Sequence, residues 1–551
     1  MRIVLATLNS KFIHSNLSLW CIKAGIDSFC TNKQEVFIEE STVNADTEAF
    51  YKSIIAHKPD IVAFSCYIWN IEKLLPLFKR LKENADCLIA VGGPETEYRQ
   101  EDILTKNTFI DYVISGEGEW SFSSFINGLE NGNSIESSEG ISYIENDCFI
   151  SYPEKCHSET PPSPYCDEYF EKLGGRIAYI EASRGCPFKC AYCLSGQLSG
   201  MRYFDEEAVF NNIIRLSHSG TKTIKFIDRT FNADARRADR ILSFIKENHG
   251  KSINKNVCFH FEIAADILKD STMELLSRMP EGLCQLEIGI QSFNRNTLDA
   301  IGRTSDLEKL SANVKRLISF GNMHIHTDLI AGLPFEDIKS FKNSFNCAFS
   351  LKSDMLQLGF LKLLHGAEMR TNEDKFPCNY KSTPPYEIIS NEWLSENDIH
   401  TLKNCEEALE RLYNSRRFLI TLDYLFEEIG LDPFDTFCEF GSFCDFNRMG
   451  LTEFTEKVWL FFKVRCDKAR LRECILSDVN SLTVNIHIPD CLSEYDPLYK
   501  RLKKKYTELL KTNVRIVILK SQKRVMVIPT DKTDRISGRY FSEYYPLEEN
   551  C

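Results

Sequence analysis

Two stretches of this chain repeat one pattern, a short apolar run followed by an amphipathic helical run. In the first stretch, strand-like runs fall at 2–8, 36–39, 61–66, 87–91 and 112–115. Helical patterns separate them; at 71–82 the apolar positions are Leu74, Leu75, Leu77, Phe78 and Leu81. Parallel strands need a crossover between them, so this alternation predicts an α/β, doubly wound parallel sheet covered on both faces. A second series has strands at 177–182, 223–227, 257–263, 285–290, 324–330 and 355–361. Six contiguous βα units predict a partial (β/α)6, TIM-like barrel.

Between the two series, 151–170 holds Pro153, Pro161, Pro162 and Pro164 among Ser, Glu and Thr, a linker composition. After about residue 376 the pattern changes. Residues 398–429 read as mostly helical, and strands are expected at 482–488, 514–519 and 524–528, giving a small mixed α+β module. The expected domains are 1–138, a linker 139–171, a barrel 172–375 and a C-terminal extension 376–551.

Composition narrows the function classes. The 551 residues carry 66 Lys and Arg against 79 Asp and Glu, a net charge of −13. That balance argues against sequence-independent binding to a nucleic-acid backbone. The opening residues read as a first strand rather than a signal peptide, and no apolar run approaches the ~18 residues of a membrane helix. Twenty-one cysteines in such a chain imply a reducing compartment, the cytoplasm, with most thiols free and buried.

In both architectures ligands sit at the carboxyl ends of the strands. In the first series those ends carry Leu8-Asn9-Ser10, Ser65-Cys66-Tyr67, Gly92-Gly93-Pro94 and Gly116-Glu117-Gly118-Glu119. In the second, the first strand is followed by Cys186-x-x-x-Cys190-x-x-Cys193. Three thiolates on one short loop suit one soft metal centre. A structural zinc site closes with four ligands, whereas a [4Fe–4S] cube held by three cysteines leaves one iron open.

The stretch Ser183-Arg184-Gly185-Cys186-Pro187-Phe188-Lys189-Cys190-Ala191-Tyr192-Cys193 resembles the cluster loop of radical S-adenosylmethionine (SAM) enzymes, including the aromatic Tyr192 before the last cysteine. Later strand ends are similar to further motifs of that family. Lys225 to Asn232, with Asp228, occupies the position that faces the amino group of SAM, without the family's Gly-Gly-Glu form. Glu287-Ile288-Gly289-Ile290-Gln291-Ser292 resembles the motif facing ribose and methionine, and Asp328 with Gly332 the motif beside the adenine. The resemblance implies a [4Fe–4S] cluster on Cys186, Cys190 and Cys193, and SAM contacts from Tyr192, Asp228, Glu287, Gln291, Ser292, Asp328 and Gly332.

The N-terminal series, with Ala90-Val91-Gly92-Gly93-Pro94 and the segment from Asp111 to Glu119, is similar to the cobalamin-binding domain fused to many radical SAM enzymes. This implies bound cobalamin near Ser65, Gly92, Gly93, Gly116 and Glu117. His14 stands where some cobalamin proteins carry a cobalt ligand in Asp-x-His-x-x-Gly, but the Asp and Gly are missing. A metal-bound histidine needs such a partner, so a hydrogen-bonding role in the loop is the alternative. Pro384-Pro385-Tyr386-Glu387 and the segment from Tyr413 to Phe418 resemble a C-terminal extension found in one subgroup.

The resemblance implies reductive cleavage of SAM to a 5′-deoxyadenosyl radical, with cobalamin-dependent methylation of an unactivated carbon as the leading reading. Cyclisation, oxidation or rearrangement without methyl transfer, a methylthiotransferase and a non-catalytic scaffold are the alternatives. The implied partners are a small-molecule or peptide substrate and a low-potential electron donor of flavodoxin or ferredoxin type, in an anaerobic cytoplasm. The residues assign no catalytic acid or base. His365 and Glu368 could move a proton or be plain loop residues. The basic run from Arg501 to Lys505 reads as a solvated helix face, and Cys405, Cys438 and Cys444 as structural thiols.

Overall fold

The computed structural model describes every residue except 131–134, 136–137, 198–199, 535 and 548–551. The chain divides into two compact units: Met1–Ala264 with Ile301–Arg303 and Lys362–Ile388, and Ala265–Ala300 with Thr304–Leu361 and Ile389–Cys551.

The first unit opens with five parallel strands: β1 (Arg2–Asn9), β2 (Glu35–Thr42), β3 (Ile61–Ser65), β4 (Leu88–Gly92) and β5 (Tyr112–Ile114). The order β2-β1-β3-β4-β5 reverses between β1 and β3, the switch point at which doubly wound sheets bind ligands. The strands are nearly continuous apolar runs because helices cover both faces. On one face Val4, Ala6, Val62, Phe64, Ile89 and Val91 bury against Leu74, Phe78 and Leu81 of helix Ile71–Asn84. A fully buried Phe or Leu contributes about 1.5–3 kcal/mol.

Two strands inside the expected linker were not foreseen. β6 (Ile141–Glu145) and β7 (Cys148–Ser151) form an antiparallel hairpin that extends the sheet beyond β5. Its turn residues Asn146 and Asp147 have φ of 50° and 61°, the positive values a tight hairpin turn demands and Asn and Asp tolerate. The sheet is thus parallel over five strands and antiparallel at this edge.

The first unit continues with β8 (Ala178–Ile180), the antiparallel pair β9 (Ser183–Gly185) and β10 (Met201–Tyr203), then β11 (Thr223–Phe226) and β12 (Cys258–Ile263). β8, β11 and β12 are parallel neighbours. The second unit has the parallel neighbours β13 (Cys284–Gln291), β14 (His324–Ala331) and β15 (Met355–Phe360). Along β14, Ile325, Thr327, Leu329 and Ala331 share one face, and His326 and Asp328 share the other with Ile330.

The C-terminal part from Ile389 onward also lies in the second unit, while 376–388 belong to the first. The expected helix 398–429 is broken: helix Glu396–Leu409 runs into a π turn at Glu410–Asn414, and helix Leu419–Asp423 into another at Tyr424–Glu428. Strands Val514–Leu519 and Arg524–Pro529 form as expected, joined by Glu543–Pro546. The expected strand at 482–488 does not form. Leu482 makes one isolated bridge to Arg539 and Val484 is exposed, so the alternating apolar run finds no partner backbone.

The Tyr413 to Phe418 motif has a structural job. Asn414 accepts from the Leu356 N–H at 3.0 Å and donates to the Leu356 carbonyl at 2.8 Å, imitating a strand on the free edge of β15. Tyr413 donates to the Ser353 carbonyl, and Arg416 pairs with Asp354 at 2.5 Å. Asn414→Ala should therefore destabilise the protein by about 2 kcal/mol or more, since it leaves two backbone groups of β15 unpaired. Chemical denaturation followed by circular dichroism checks this; an unchanged midpoint would refute the role.

Candidate functional site

The three cysteines follow β9, and all are free thiols. β9 and β10 form the neck of their loop. The fit at the neck is tight: Gly185 has φ of +99°, and a Cβ there would lie 2.0 Å from the Gly200 carbonyl oxygen. The loop is braced on its far side. The Ala191 N–H donates to the Ile301 carbonyl at 2.9 Å, and the Met369 N–H to the Ala191 carbonyl at 3.0 Å. Arg303 places its guanidinium 3.9 Å from the Cys190 sulfur. Burial pushes the Cys190 thiol up and Arg303 opposes it, favouring the thiolate that binds metal. Cys186 lies 3.7 Å from the Thr230 hydroxyl, and burial raises the Tyr192 hydroxyl beside Cys190.

Asp228 is buried with its carboxylate turned into the protein. It accepts from the Ala182 N–H at 3.0 Å and the Ser183 hydroxyl at 2.5 Å, which fastens the start of the cysteine loop. Burial pushes its pKa up to about 7.

In the second unit, Glu287 on β13 stands opposite His326 on β14, and Gly289 opposite Asp328. His326 Nε2 is 2.7 Å from Asp328 Oδ1, and ligand atoms of Glu287, His326 and Asp328 lie within 4.8 Å of one another. Gln291 ends β13 at a bulge with φ of 74°, a backbone state that costs a non-glycine residue and concentrates at functional positions. Ser292 is fully buried and donates to Glu336 at 2.7 Å; Ser344 donates to the same oxygen at 2.6 Å. The Gly332 carbonyl accepts from Asn391 at 3.0 Å. Glu287, Asp328 and Gln291 thus sit on adjoining strands, and Ser292 and Gly332 hydrogen-bond to Glu336 and Asn391.

At the carboxyl edge of the first sheet, the Ser65 hydroxyl is 3.0 Å from that of Ser18. The glycines are held close by neighbours: a Cβ on Gly92 would sit 3.0 Å from the Ile114 carbonyl, on Gly93 2.8 Å from that of Cys66, and on Gly116 2.5 Å from the Glu154 carboxylate. The loops after β1 and β3 instead expose Phe12 (77 %), Ile13 (47 %) and Trp69 (44 %), with Trp69 stacked on Tyr67 at 4.4 Å. Exposed apolar groups gathered at a ligand-bearing edge suit a large flat cofactor such as a corrin. His14 places Nδ1 2.6 Å from the Tyr179 hydroxyl. Burial, Lys11 and Lys225 lower its pKa.

Several contacts here carried no signal in the sequence, although some of the residues did. Arg184 lies among three carboxylates: it bonds Glu117, Glu119 Oε1 at 2.5 Å and Glu181 Oε1 at 2.8 Å. Arg202 bonds the same Glu117 at 2.6 Å. Tyr386, after Pro384 and Pro385, donates to Glu95, which also pairs with Arg99 at 2.6 Å. His365 packs edge-on against Tyr386 at 5.0 Å, and burial with Arg370 nearby lowers its pKa to about 3, so its imidazole is neutral. Glu368 pairs with Lys375 at 2.8 Å.

Comparison with known proteins places three family models along this architecture. Residues 3–126 match the B12 binding domain, 180–348 the radical SAM superfamily and 374–528 a protein of unknown function, DUF4080. The chain carries a B12-binding domain, a radical SAM domain and a DUF4080 domain in that order. It is 26% identical over 322 residues to 2-(S-pantetheinyl)-carbapenam-3-carboxylate methyltransferase of Streptantibioticus cattleyicolor, covering 52% of this chain and 44% of that protein. It is 23% identical over 384 residues to the cobalamin-dependent radical SAM methyltransferase TokK of Streptomyces tokunonensis, covering 64% and 54%. The chain thus spans about half the length of these two relatives. Among solved structures, OxsB with aqua-cobalamin and SAM bound has the same fold, with a TM-score of 0.58, 14% identity and coverage of 87% of this chain and 74% of that one.

Glu336 yields a pH test. It is fully buried, and burial pushes its pKa from 4.5 up to about 7. A carboxyl raised in the folded state stabilises fully below its unfolded pKa and loses that contribution as pH rises through its folded pKa. Relative to Glu336→Gln, the wild type should lose up to about 3 kcal/mol between about pH 4.5 and pH 7 and then level off. Denaturation midpoints across that range check it; a difference independent of pH would refute the assignment.

Proposed function

We propose that this chain is a radical SAM enzyme that methylates an unactivated carbon of a small molecule or peptide, using a [4Fe–4S] cluster, S-adenosylmethionine and cobalamin. The observation that carries the proposal is three free thiols on one braced loop, in a chain whose residues 3–126 match the B12 binding domain. The donor set fits a cluster: three soft ligands, an adjacent guanidinium to offset thiolate charge, and a rigid neck.

A cluster held by Cys186, Cys190 and Cys193 would supply the electron for reductive cleavage of SAM, and a cobalamin on the B12-binding domain would supply the methyl group. The chain's own residues hold and orient. Cys186, Cys190 and Cys193 ligate; Tyr192 and Arg303 shield and balance the sulfurs. Gln291, Glu287 and Asp328 offer polar contacts to SAM. Asp228, Ser292 and Gly332 support from behind, through the hydrogen bonds they already make. The exposed apolar groups after β1 and β3 form the bed for a corrin, with Ser65, Gly92, Gly93, Gly116 and Glu117 shaping its edge. A low-potential donor of flavodoxin or ferredoxin type would supply the electron, in an anaerobic cytoplasm. No helix among the described residues is long and apolar enough to cross a membrane.

Anaerobically reconstituted protein should hold about four iron and four sulfide per chain, as one cube requires. Given reductant, SAM and cell extract, it should release 5′-deoxyadenosine and a methylated product. Cys186→Ala should lose the iron and both products. Zinc in place of iron would overturn the proposal, and 5′-deoxyadenosine with an unmethylated product would assign a cyclisation, oxidation or rearrangement instead.

A further inference from the structure

The neck of the cysteine loop is tied to the first sheet by ion pairs that the chemistry of the cofactors does not itself require. β9 and β10 pair in a register that sets Arg184 opposite Arg202. Both guanidiniums reach Glu117, in the turn after β5. Arg184 also holds Glu119 in the first turn of helix Gly118–Glu130, and Glu181, the residue directly after β8, through both of its oxygens at 2.8 and 3.0 Å. Its side chain is only 20% exposed, and that of Glu119 only 4%. Three carboxylates and two guanidiniums therefore share one half-buried site, where each charge depends on its neighbours.

Both ends of this tie are stiff. On the loop side, Gly185 meets the Gly200 backbone so closely that no Cβ fits. On the sheet side, helix Gly118–Glu130 lies against helix Leu17–Phe29, and a Cβ on Gly25 would meet the Glu119 carbonyl oxygen at 2.3 Å. Neither the neck nor the β5 turn can shift alone without opening the ion network. Only an arginine serves here: its fixed fork of five donors satisfies three carboxylates at once, which an ammonium cannot do in that geometry.

We infer that Arg184 is a positioning residue that locks the cysteine loop to the turn after β5 of the B12-binding domain, and so fixes the cluster in one relation to the corrin. The inference rests on the proposed function, because it needs both cofactors on this chain. Its logic is chemical: the 5′-deoxyadenosyl radical would take a hydrogen atom from the substrate carbon, and that carbon radical would have to meet the methyl group carried by the corrin before it is quenched, so the separation of the two cofactors has to be built in.

The test uses the full chain, loaded anaerobically with iron, sulfide and hydroxocobalamin and then reduced. Microwave power saturation of the cob(II)alamin electron paramagnetic resonance signal reads its magnetic coupling to the reduced cluster. In the wild type, cluster reduction should make the cobalt signal several-fold harder to saturate. Arg184→Gln and Glu119→Gln should each lose most of that enhancement while iron and corrin contents stay at wild-type levels, and Arg184→Lys should keep part of it. Because both changes open one network, the double variant should be no worse than either single one. Glu119→Gln preserves side-chain shape and serves if Arg184→Gln does not fold, with circular dichroism as the check. Unchanged enhancement in folded, fully loaded variants would overturn the inference and leave the proposed function standing. Wild-type protein that binds neither cofactor would sink both.

Discussion

Arg184 is the joint on which the first unit depends. It lies one residue before the glycine that opens the cysteine loop, and its guanidinium reaches carboxylates from the loop after β8 and from the first sheet. Burying ions costs several kcal/mol each before their attraction is counted, so such a network is a poor way to gain stability. An apolar plug would fill the same space more cheaply. What ions add is geometry: the fork accepts carboxylates in one arrangement only. A loop meant to keep a reactive centre in register with a neighbouring domain needs that specificity more than it needs free energy.

The same preference for fixed geometry runs through the rest of the loop's setting. Asp228 gives its carboxylate to the Ala182 N–H and the Ser183 hydroxyl instead of to a ligand. The Ala191 backbone is pinned by Ile301 and Met369. All but the Ser183 hydroxyl contact are hydrogen bonds to backbone groups, and loss of a partner to a buried group leaves it desolvated and unpaired. The three sulfurs thus sit on a loop held at its neck, at its start and at its middle, and Arg303 brings a guanidinium to Cys190. A site preorganised in this way has little left to rearrange when it is loaded.

Much of this was legible in the sequence because period and spacing are local properties. The strand runs of both βα series appear within a few residues of where they were expected, and the three cysteines follow the first strand of the second series. What was missed is non-local. Nothing near Arg184 or Arg202 points to Glu117, more than sixty residues away. The run at 482–488 alternates as a strand should, but alternation reports a half-buried face and not the presence of a partner backbone. The hairpin at Asn146 and Asp147 was hidden in a proline-rich neighbourhood that read as linker. Ser292 was read for its place in a motif; its place in space is beneath the strand end, bonded to Glu336.

The C-terminal domain illustrates the difference between a motif and a function. Its most distinctive run, Tyr413 to Phe418, is explained without any ligand. The π turn at Glu410–Asn414 brings Asn414 into line with β15, where its amide takes the place of a missing strand. A sheet that ends in an open edge invites pairing with other chains, and covering that edge is a requirement of the fold. Arg416 then pairs with Asp354 at the start of the same strand, and Arg539 donates to the Arg416 carbonyl at 2.7 Å, drawing in the last segment of the chain. β15 pairs with β14, and β14 with β13, the two strands that carry Glu287, Gln291 and Asp328. The extension covers the edge of the sheet on which those residues stand.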